Sequence, residues 1–196
     1  MTRDALHGVS PVLVVLALLC TFLSGCSSQL VSGELPGGEG SGEIGATVYR
    51  VSDGDTVRVS PEIEGEGAVR LIGVDAPETN SSGRDSPEPY AEEARSFTQS
   101  SLEGGDVTLE FDAERRDDYG RLLAYVYLPD DTMFNETLLR EGYAQAATFP
   151  PNTRYLDRFE EAQDEAREAR RGIWSLSEGE LCRLRDRGNG IGGGCG

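Results

Sequence analysis

The chain has 196 residues, 37% of them hydrophobic, and a formal charge of −17 from 35 acidic against 18 basic side chains. That length supports one ordinary core once the low-complexity ends are set aside, which predicts a single compact domain. Lysine is absent and His7 is the sole histidine, so beyond the first residues a zinc site built on histidine and cysteine is disfavoured, and serine-histidine or cysteine-histidine catalysis is excluded.

Residues 1–25 carry Arg3 and then an apolar run over 12–23 that ends in small residues, the pattern of an export signal. The run is shorter than the roughly 20 apolar residues that cross a bilayer, and no permanent transmembrane helix is expected. Leu23-Ser24-Gly25-Cys26 resembles a lipobox, in which the cysteine takes a lipid after cleavage, so Cys26 is the expected lipid-attachment residue. The alternative is ordinary signal cleavage nearby. Either route places the rest of the chain outside the cytoplasm, as a cell-surface lipoprotein or a secreted protein. Residues 26–43 are rich in Gly, Ser and Glu and read as a flexible tether.

From Ile44 the pattern turns to period two with β-branched residues, giving strands over 46–51 and 56–59 around the turn Asp53-Gly54-Asp55. A polar turn over 61–67 and a third strand over 68–74 follow. Ser86 and Pro87 are expected to open a helix that carries Tyr90, Ala94 and Phe97 on one face and ends before Gly104-Gly105. Further strands are expected over 106–112 and 121–128, a short helix over 134–140, and a longer helix over 155–171 with Leu156, Phe159, Ala162, Ala166 and Ala169 on one face. Ile173 and Trp174 are expected to fold back onto the core. Five short strands with about three helices fit a small closed β-barrel packed by helices, and equally other α+β arrangements. The domain is bounded at 44–176, leaving 177–196 as a Gly-rich tail. In an oxidising compartment Cys182 and Cys195 are expected to pair across it, with two free thiols as the alternative.

Four carboxylates, Asp53, Asp55, Asp75 and Glu78, fall in two turn-like segments beside predicted strands. Clustered carboxylates suit a hard cation, and calcium accepts carboxylate, carbonyl and water oxygens in flexible geometry. Taken singly, Asp53-Gly54 is ordinary turn chemistry and Asp75-Ala76-Pro77-Glu78 a proline-fixed turn. Arg70 and Arg121 each offer a planar fork matched to two phosphate oxygens, or a plain salt bridge.

Asp53-Gly54-Asp55-Thr56-Val57, the run from Arg70 through Glu78, and Asp117-Asp118-Tyr119-Gly120-Arg121-Leu122-Leu123-Ala124-Tyr125 closely resemble the staphylococcal nuclease family. The resemblance extends to Gly172-Ile173-Trp174-Ser175 and covers about 44–175. It implies an OB-fold β-barrel with helices and hydrolysis of DNA and RNA phosphodiesters. It also implies one calcium ion held by Asp55, Asp75 and the carbonyl of Ala76, with Asp53 acting through a water. Glu78 falls on the family's proposed general base, and Arg70 and Arg121 on its two phosphate-binding arginines. Tyr119 falls near the sugar or terminal phosphate, with a packed strand-end tyrosine as the alternative. The family's basic neighbours are replaced here by Asp118 and by the mixed pair Arg84-Asp85. A stacking tyrosine is missing near Thr148-Phe149-Pro150, where Phe149 is the substitute candidate or else a loop residue covering the core.

The acidic balance would ordinarily argue against a nucleic-acid partner. It also resembles the composition of proteins from salt-loving organisms, where molar salt screens charge within about 3 Å. The expected partners are DNA or RNA as substrate and a membrane reached through the Cys26 lipid, with the protein a monomer. A non-catalytic OB-fold module that binds nucleic acid or another partner at the surface is the competing reading.

Overall fold

The structure, a computed structural model, describes residues 42–79, 86–184 and 189. The expected export signal, Cys26, most of the tether and Cys195 lie outside the described residues.

Among the described residues there are seven strands: β1 (Glu43–Asp53), β2 (Thr56–Ile63), β3 (Glu66–Leu71), β4 (Val74–Asp75), β5 (Asp106–Glu110), β6 (Leu122–Tyr127) and β7 (Gln145–Ala146). The helices are α1 (Ala91–Leu102), α2 (Phe134–Arg140), α3 (Leu156–Glu168) and the one-turn α4 (Glu178–Leu181), with a 3-10 turn at Gly172–Ser175. Five strands close a barrel in the order β1-β2-β3-β6-β5, and β4 and β7 form a separate two-stranded ribbon. All barrel pairings are antiparallel except β3 with β6, which run parallel and close it. This is the α+β OB-fold architecture expected from the sequence.

Period-two alternation builds the barrel core. Val48, Val57, Val59, Val69, Leu71, Leu109, Leu122, Ala124 and Val126 point inward and are fully buried or nearly so. Helix α2 sends Phe134, Leu138 and Leu139 into the same core, α1 packs on β1, and α3 packs on α2.

The elements depart from expectation where backbone chemistry overrides the pattern. The third strand does not run through 74: it breaks at Ile72-Gly73, where Gly73 has φ 77° and a Cβ would lie 2.3 Å from the Phe159 ring. The turn expected over 61–67 shrinks to Glu64-Gly65, both at positive φ, because β2 continues through Pro61 to Ile63. Helix α1 starts at Ala91 rather than near Ser86, since Pro89 biases Glu88 away from helical backbone and Tyr90 turns at φ 69°. Helix α3 stops at Glu168, leaving Ala169 exposed, and Arg170 takes φ 52°.

Ile173 is buried with Leu184 in a small second cluster, packed by Tyr90, Trp174, Leu176 and Leu181, and does not join the barrel core. The segment expected to be tail therefore begins as structure. Ser177 and Glu180 form a capping box on α4, and Cys182 is disulfide-bonded. Asn189 donates to the Ala146 carbonyl (2.8 Å) and accepts from the Gln163 amide (3.1 Å), tying this segment to β7 and α3.

Asn135 organises the join between barrel and helices. It is fully buried, donates to the Ile72 carbonyl at 2.8 Å and accepts the Val126 N–H at 2.8 Å. It thereby fixes the chain as it leaves β3 for the ribbon. Replacing Asn135 by alanine would leave a buried N–H and a buried C=O without partners, at about 1 to 3 kcal/mol for each. Urea unfolding of Asn135→Ala should show a loss of about 3 kcal/mol; a loss below about 1 kcal/mol would mean that water replaces the amide.

Candidate active site

The site is built where the β1–β2 hairpin meets the turn after β3. Gly54 permits the closest approach: a Cβ there would fall 2.6 Å from the Ala76 Cβ and 3.1 Å from the Ala94 Cβ. The Thr98 hydroxyl of α1 donates to the Gly54 carbonyl at 2.6 Å, so the helix clasps the hairpin turn. Asp55 is thereby carried inward and is 6% exposed. Its Oδ2 accepts the Ala76 N–H at 2.7 Å and its Oδ1 accepts the Thr56 hydroxyl at 3.1 Å.

Arg70 lies opposite Thr56 across the β2–β3 ladder, which sets its guanidinium between two aspartates. Nη1 is 2.5 Å from Asp55 Oδ2 and Nη2 is 2.9 Å from Asp75 Oδ1. Asp75 is buried at the end of β4, where the break at Gly73 returns the chain towards β2. The structure thus brings Asp53, Asp55, Arg70, Asp75 and Ala76 together, as the sequence motifs required.

Charge is concentrated there beyond what Arg70 neutralises. Burial pushes the Asp55 carboxyl up, Arg70 opposes that shift, and Asp75 adds to it. Burial, then the charge of Asp55, pushes Asp53 up to about 6, with Glu78 contributing in the same direction. Among the described residues no group of three or more His, Cys, Asp and Glu side chains converges into a ready cage for a metal. The donors nonetheless fit a hard cation: all are oxygens, two are buried carboxylates that repel one another, and calcium can complete its shell with carbonyls and water.

Glu78 sits half-buried three residues beyond Asp75. Its backbone is held by a residue that sequence reasoning did not single out. The buried Glu88 accepts the Glu78 N–H at 3.0 Å, and the Glu88 N–H donates to the Glu78 carbonyl at 3.0 Å. No sequence signal marks Glu88, because a glutamate between two prolines reads as loop.

Arg121 is oriented by Asp117, a second residue that the motif contained without an assigned task. Asp117 Oδ2 accepts Arg121 Nε at 2.7 Å, and its Oδ1 accepts the N–H groups of Tyr119 and Arg121 at 3.0 and 2.9 Å. Gly120 at φ 84° completes this tight loop, and Arg116 Nη1 donates to its carbonyl at 2.7 Å. Arg121 stacks 5.5 Å from the Tyr119 ring centroid rather than reaching the aspartate pair. Tyr119 is 86% exposed and is not a packed strand-end tyrosine. Phe149 is 59% exposed, on a loop held by Asn152, which exchanges hydrogen bonds with the Glu114 backbone at 2.8 and 2.9 Å. It does not cover the core.

The arrangement offers a carboxylate cluster for a cation, a guanidinium fork beside it, a proton-accepting carboxylate on a pinned backbone, and exposed aromatic faces. Comparison with known proteins gives the same direction. Residues 68–176 match the family described as staphylococcal nuclease homologues, a stretch that includes Arg70, Asp75, Glu78 and Arg121 and begins after Asp53 and Asp55. The thermonuclease of Staphylococcus intermedius is 42% identical over 149 residues, covering 74% of this chain and 87% of the relative. The thermonuclease of Staphylococcus hyicus is 44% identical over 128 residues, 65% of this chain and 74% of the relative. Endonuclease YncB of Bacillus subtilis (strain 168) is 41% identical over 136 residues, 68% of this chain and 63% of the relative. Barrel topology, the Asp55–Arg70–Asp75 bridge and these identities together place the chain in the staphylococcal nuclease family of hydrolytic nucleases.

Proposed function

We propose that the chain is a calcium-dependent nuclease that acts outside the cell, hydrolysing phosphodiester bonds of DNA and RNA by attack of water. The observation that carries this reading is the buried Asp55–Arg70–Asp75 bridge with Glu78 close by, a cation-seeking cluster joined to a phosphate-matched fork. Asp55, Asp75 and the Ala76 carbonyl would hold the calcium ion, with Asp53 reaching it through water. When bound, the ion would polarise a phosphate oxygen and neutralise charge that develops on it.

The chain's own residues supply the rest. Glu78 takes the proton of the attacking water on its carboxylate, and the Glu88 contacts keep it in position. Arg70 presents to two phosphate oxygens the same planar edge that it now presents to two aspartates. Arg121, held by Asp117, stabilises negative charge as the phosphorus gains its fifth oxygen. Tyr119 and Phe149 offer open ring faces to bases or sugar. A lipid on Cys26 would tether a monomeric enzyme to the membrane surface, with the lipobox-like Leu23-Ser24-Gly25-Cys26 as the supporting feature.

With calcium, the purified protein should cut single- and double-stranded DNA, and a chelator should stop it. Glu78→Gln should retain the fold and reduce kcat by about 10²- to 10⁴-fold. An unchanged rate in that variant would remove Glu78 from the proton-transfer step. A folded wild-type protein that cuts nothing across salts and divalent cations would sink the nuclease reading.

The raised carboxyl of Asp53 gives a stability test. Its folded value, about 6, lies above its ordinary 3.8, so the folded state holds the proton more tightly and the metal-free protein loses stability as pH rises through that window. Above the window the cost is fully present; below it, it vanishes. In chelator, the thermal midpoint of Asp53→Asn should therefore gain on wild type as pH rises from about 4 to about 6. Parallel melting profiles across the window would contradict this.

A further inference from the structure

The outer wall of the barrel carries a charge pattern that the proposed mechanism does not use. Most described arginines are ion-paired, as Arg95 is with Glu92 and Arg115 with Glu64. Arg50 and Arg58 are exposed, make no ion pair within 4.0 Å among the described residues, and are direct cross-strand partners on β1 and β2. Like charges directly opposite on a sheet are destabilising. In a chain of charge −17, two arginines facing each other with only the Glu66 carboxylate acting electrostatically on Arg58 are the reverse of what the composition would produce by default.

Their placement relative to the active site is set by register. Inward positions on β2 and β3 are Val57, Val59, Val69 and Leu71, so Arg58, Ala68 and Arg70 share the outer face. Arg58 pairs with Ala68, one outward step along the ladder from the Thr56–Arg70 pair. Val69 pairs with Leu122, so Arg121 follows Ala68 in the next position across the wall. Arg50, Arg58 and the small Ala68 thus form one row over three neighbouring strands, which ends beside Arg121 just before β6, and Arg70 lies diagonally beside it. The irregularity in β1 between Val48 and Arg50 turns both Tyr49 and Arg50 outward. Tyr49 is 53% exposed, and a Cβ on Gly67 would stand 4.0 Å from its hydroxyl, so the tyrosine reaches across β2 towards β3. Carboxylates beside this wall include Glu62, whose Cγ would be 3.6 Å from that same Cβ, Glu66, which accepts the Gly67 and Ala68 N–H groups and feels the charge of Arg58, and Glu103, which accepts the Val51 N–H.

We propose that this wall is a second contact surface for single-stranded nucleic acid, on which Arg50 and Arg58 bind backbone phosphates and Tyr49 stacks on an unpaired base. The identity of the ligand rests on the nuclease reading. Guanidinium groups on adjacent strands with an aromatic face beside them match the combination of backbone tracking and base stacking by which OB-folds hold single strands. The row leads to Arg70 and Arg121, so a strand bound on the wall feeds its flank towards the cutting site. An acidic protein gains from this arrangement: substrate attraction is confined to one path while the remaining surface repels it.

The test is fluorescence anisotropy of a labelled oligodeoxynucleotide of about 16 nucleotides, the upper end of what one OB-fold covers, with the purified full chain in chelator so that nothing is cut. The double variant Arg50→Gln/Arg58→Gln should bind about 10-fold more weakly, and its slope of log affinity against log salt should be shallower by about 1.4, two phosphates at about 0.7 each. Tyr49→Ser should bind more weakly with an unchanged slope. Cleavage of a dinucleotide-length reporter in calcium reads the catalytic site separately and should be unaltered in all of these variants.

Unchanged affinity and slope in a folded double variant would overturn the proposal, as would a parallel loss of affinity and reporter cleavage, which would mark the arginines as structural. Absence of any binding by the wild type would overturn it too. Binding that weakens as expected, in a protein that cuts neither substrate, would uphold the wall as a nucleic-acid surface while sinking the nuclease reading.

Discussion

Much of this structure follows from one guanidinium held between two buried aspartates. Arg70 bridges Asp55 and Asp75 with both of its terminal nitrogens and offsets part of the cost of burying two carboxylates side by side. The ladder that pairs Arg70 with Thr56 puts the guanidinium beside the hairpin turn. The break at Ile72-Gly73 then returns the chain so that Asp75 reaches the other side of the fork. Gly54 is required because the hairpin and the Ala76 turn must close to van der Waals contact around that triad. Burial first, and then the charge of a neighbouring aspartate, raises the carboxyls of Asp53 and Asp55 despite Arg70, and a divalent cation would oppose both effects.

Uncharged contacts beyond the aspartate–arginine cluster hold this geometry in place. Asn135 links β6 to the turn after β3, and Phe159 of α3 lies where any side chain on Gly73 would have to go. Farther along, Gly142 and Gly172 cross so closely that a Cβ on either would stand 2.3 or 2.1 Å from a carbonyl oxygen of the other segment. The Ile173 N–H donates to the Gly142 carbonyl at 2.9 Å in that crossing. The path of β4 and β7, and with it the position of Asp75, therefore depends on contacts made well outside the site.

The barrel strands and α2 were legible in the sequence because alternation and helical spacing are local properties, and the three motifs located every residue of the aspartate–arginine cluster. What escaped was non-local or carried by unremarkable residues. Gly73 sits within an apolar run whose alternation suggests a continuous strand, and only the Phe159 ring, 86 positions along the chain, requires the break. Glu88 lies between two prolines and gains meaning only from the Glu78 backbone that it receives. Asp117 looked like one acid in an acidic loop, yet it accepts three hydrogen bonds that shape the Arg121 turn. The segment after residue 176 reads as polar tail by composition, while Leu184 and the Ser177–Glu180 box give it structure of its own.

The parallel pairing of β3 with β6 is the only barrel contact between strands that no antiparallel step relates. It joins the strand that carries Arg70 to the strand that follows Arg121, across a sequence separation of about fifty residues that must lose its loop entropy before the pair forms. The antiparallel β1–β2–β3 meander is enough to set Arg70 beside Asp55, whereas the place of Arg121 relative to them depends on barrel closure. Arg70 and Arg121 are thus set by two different pairings, one local and one of long range. The spacing of the two arginines is in this sense a property of the closed barrel and not of any one hairpin.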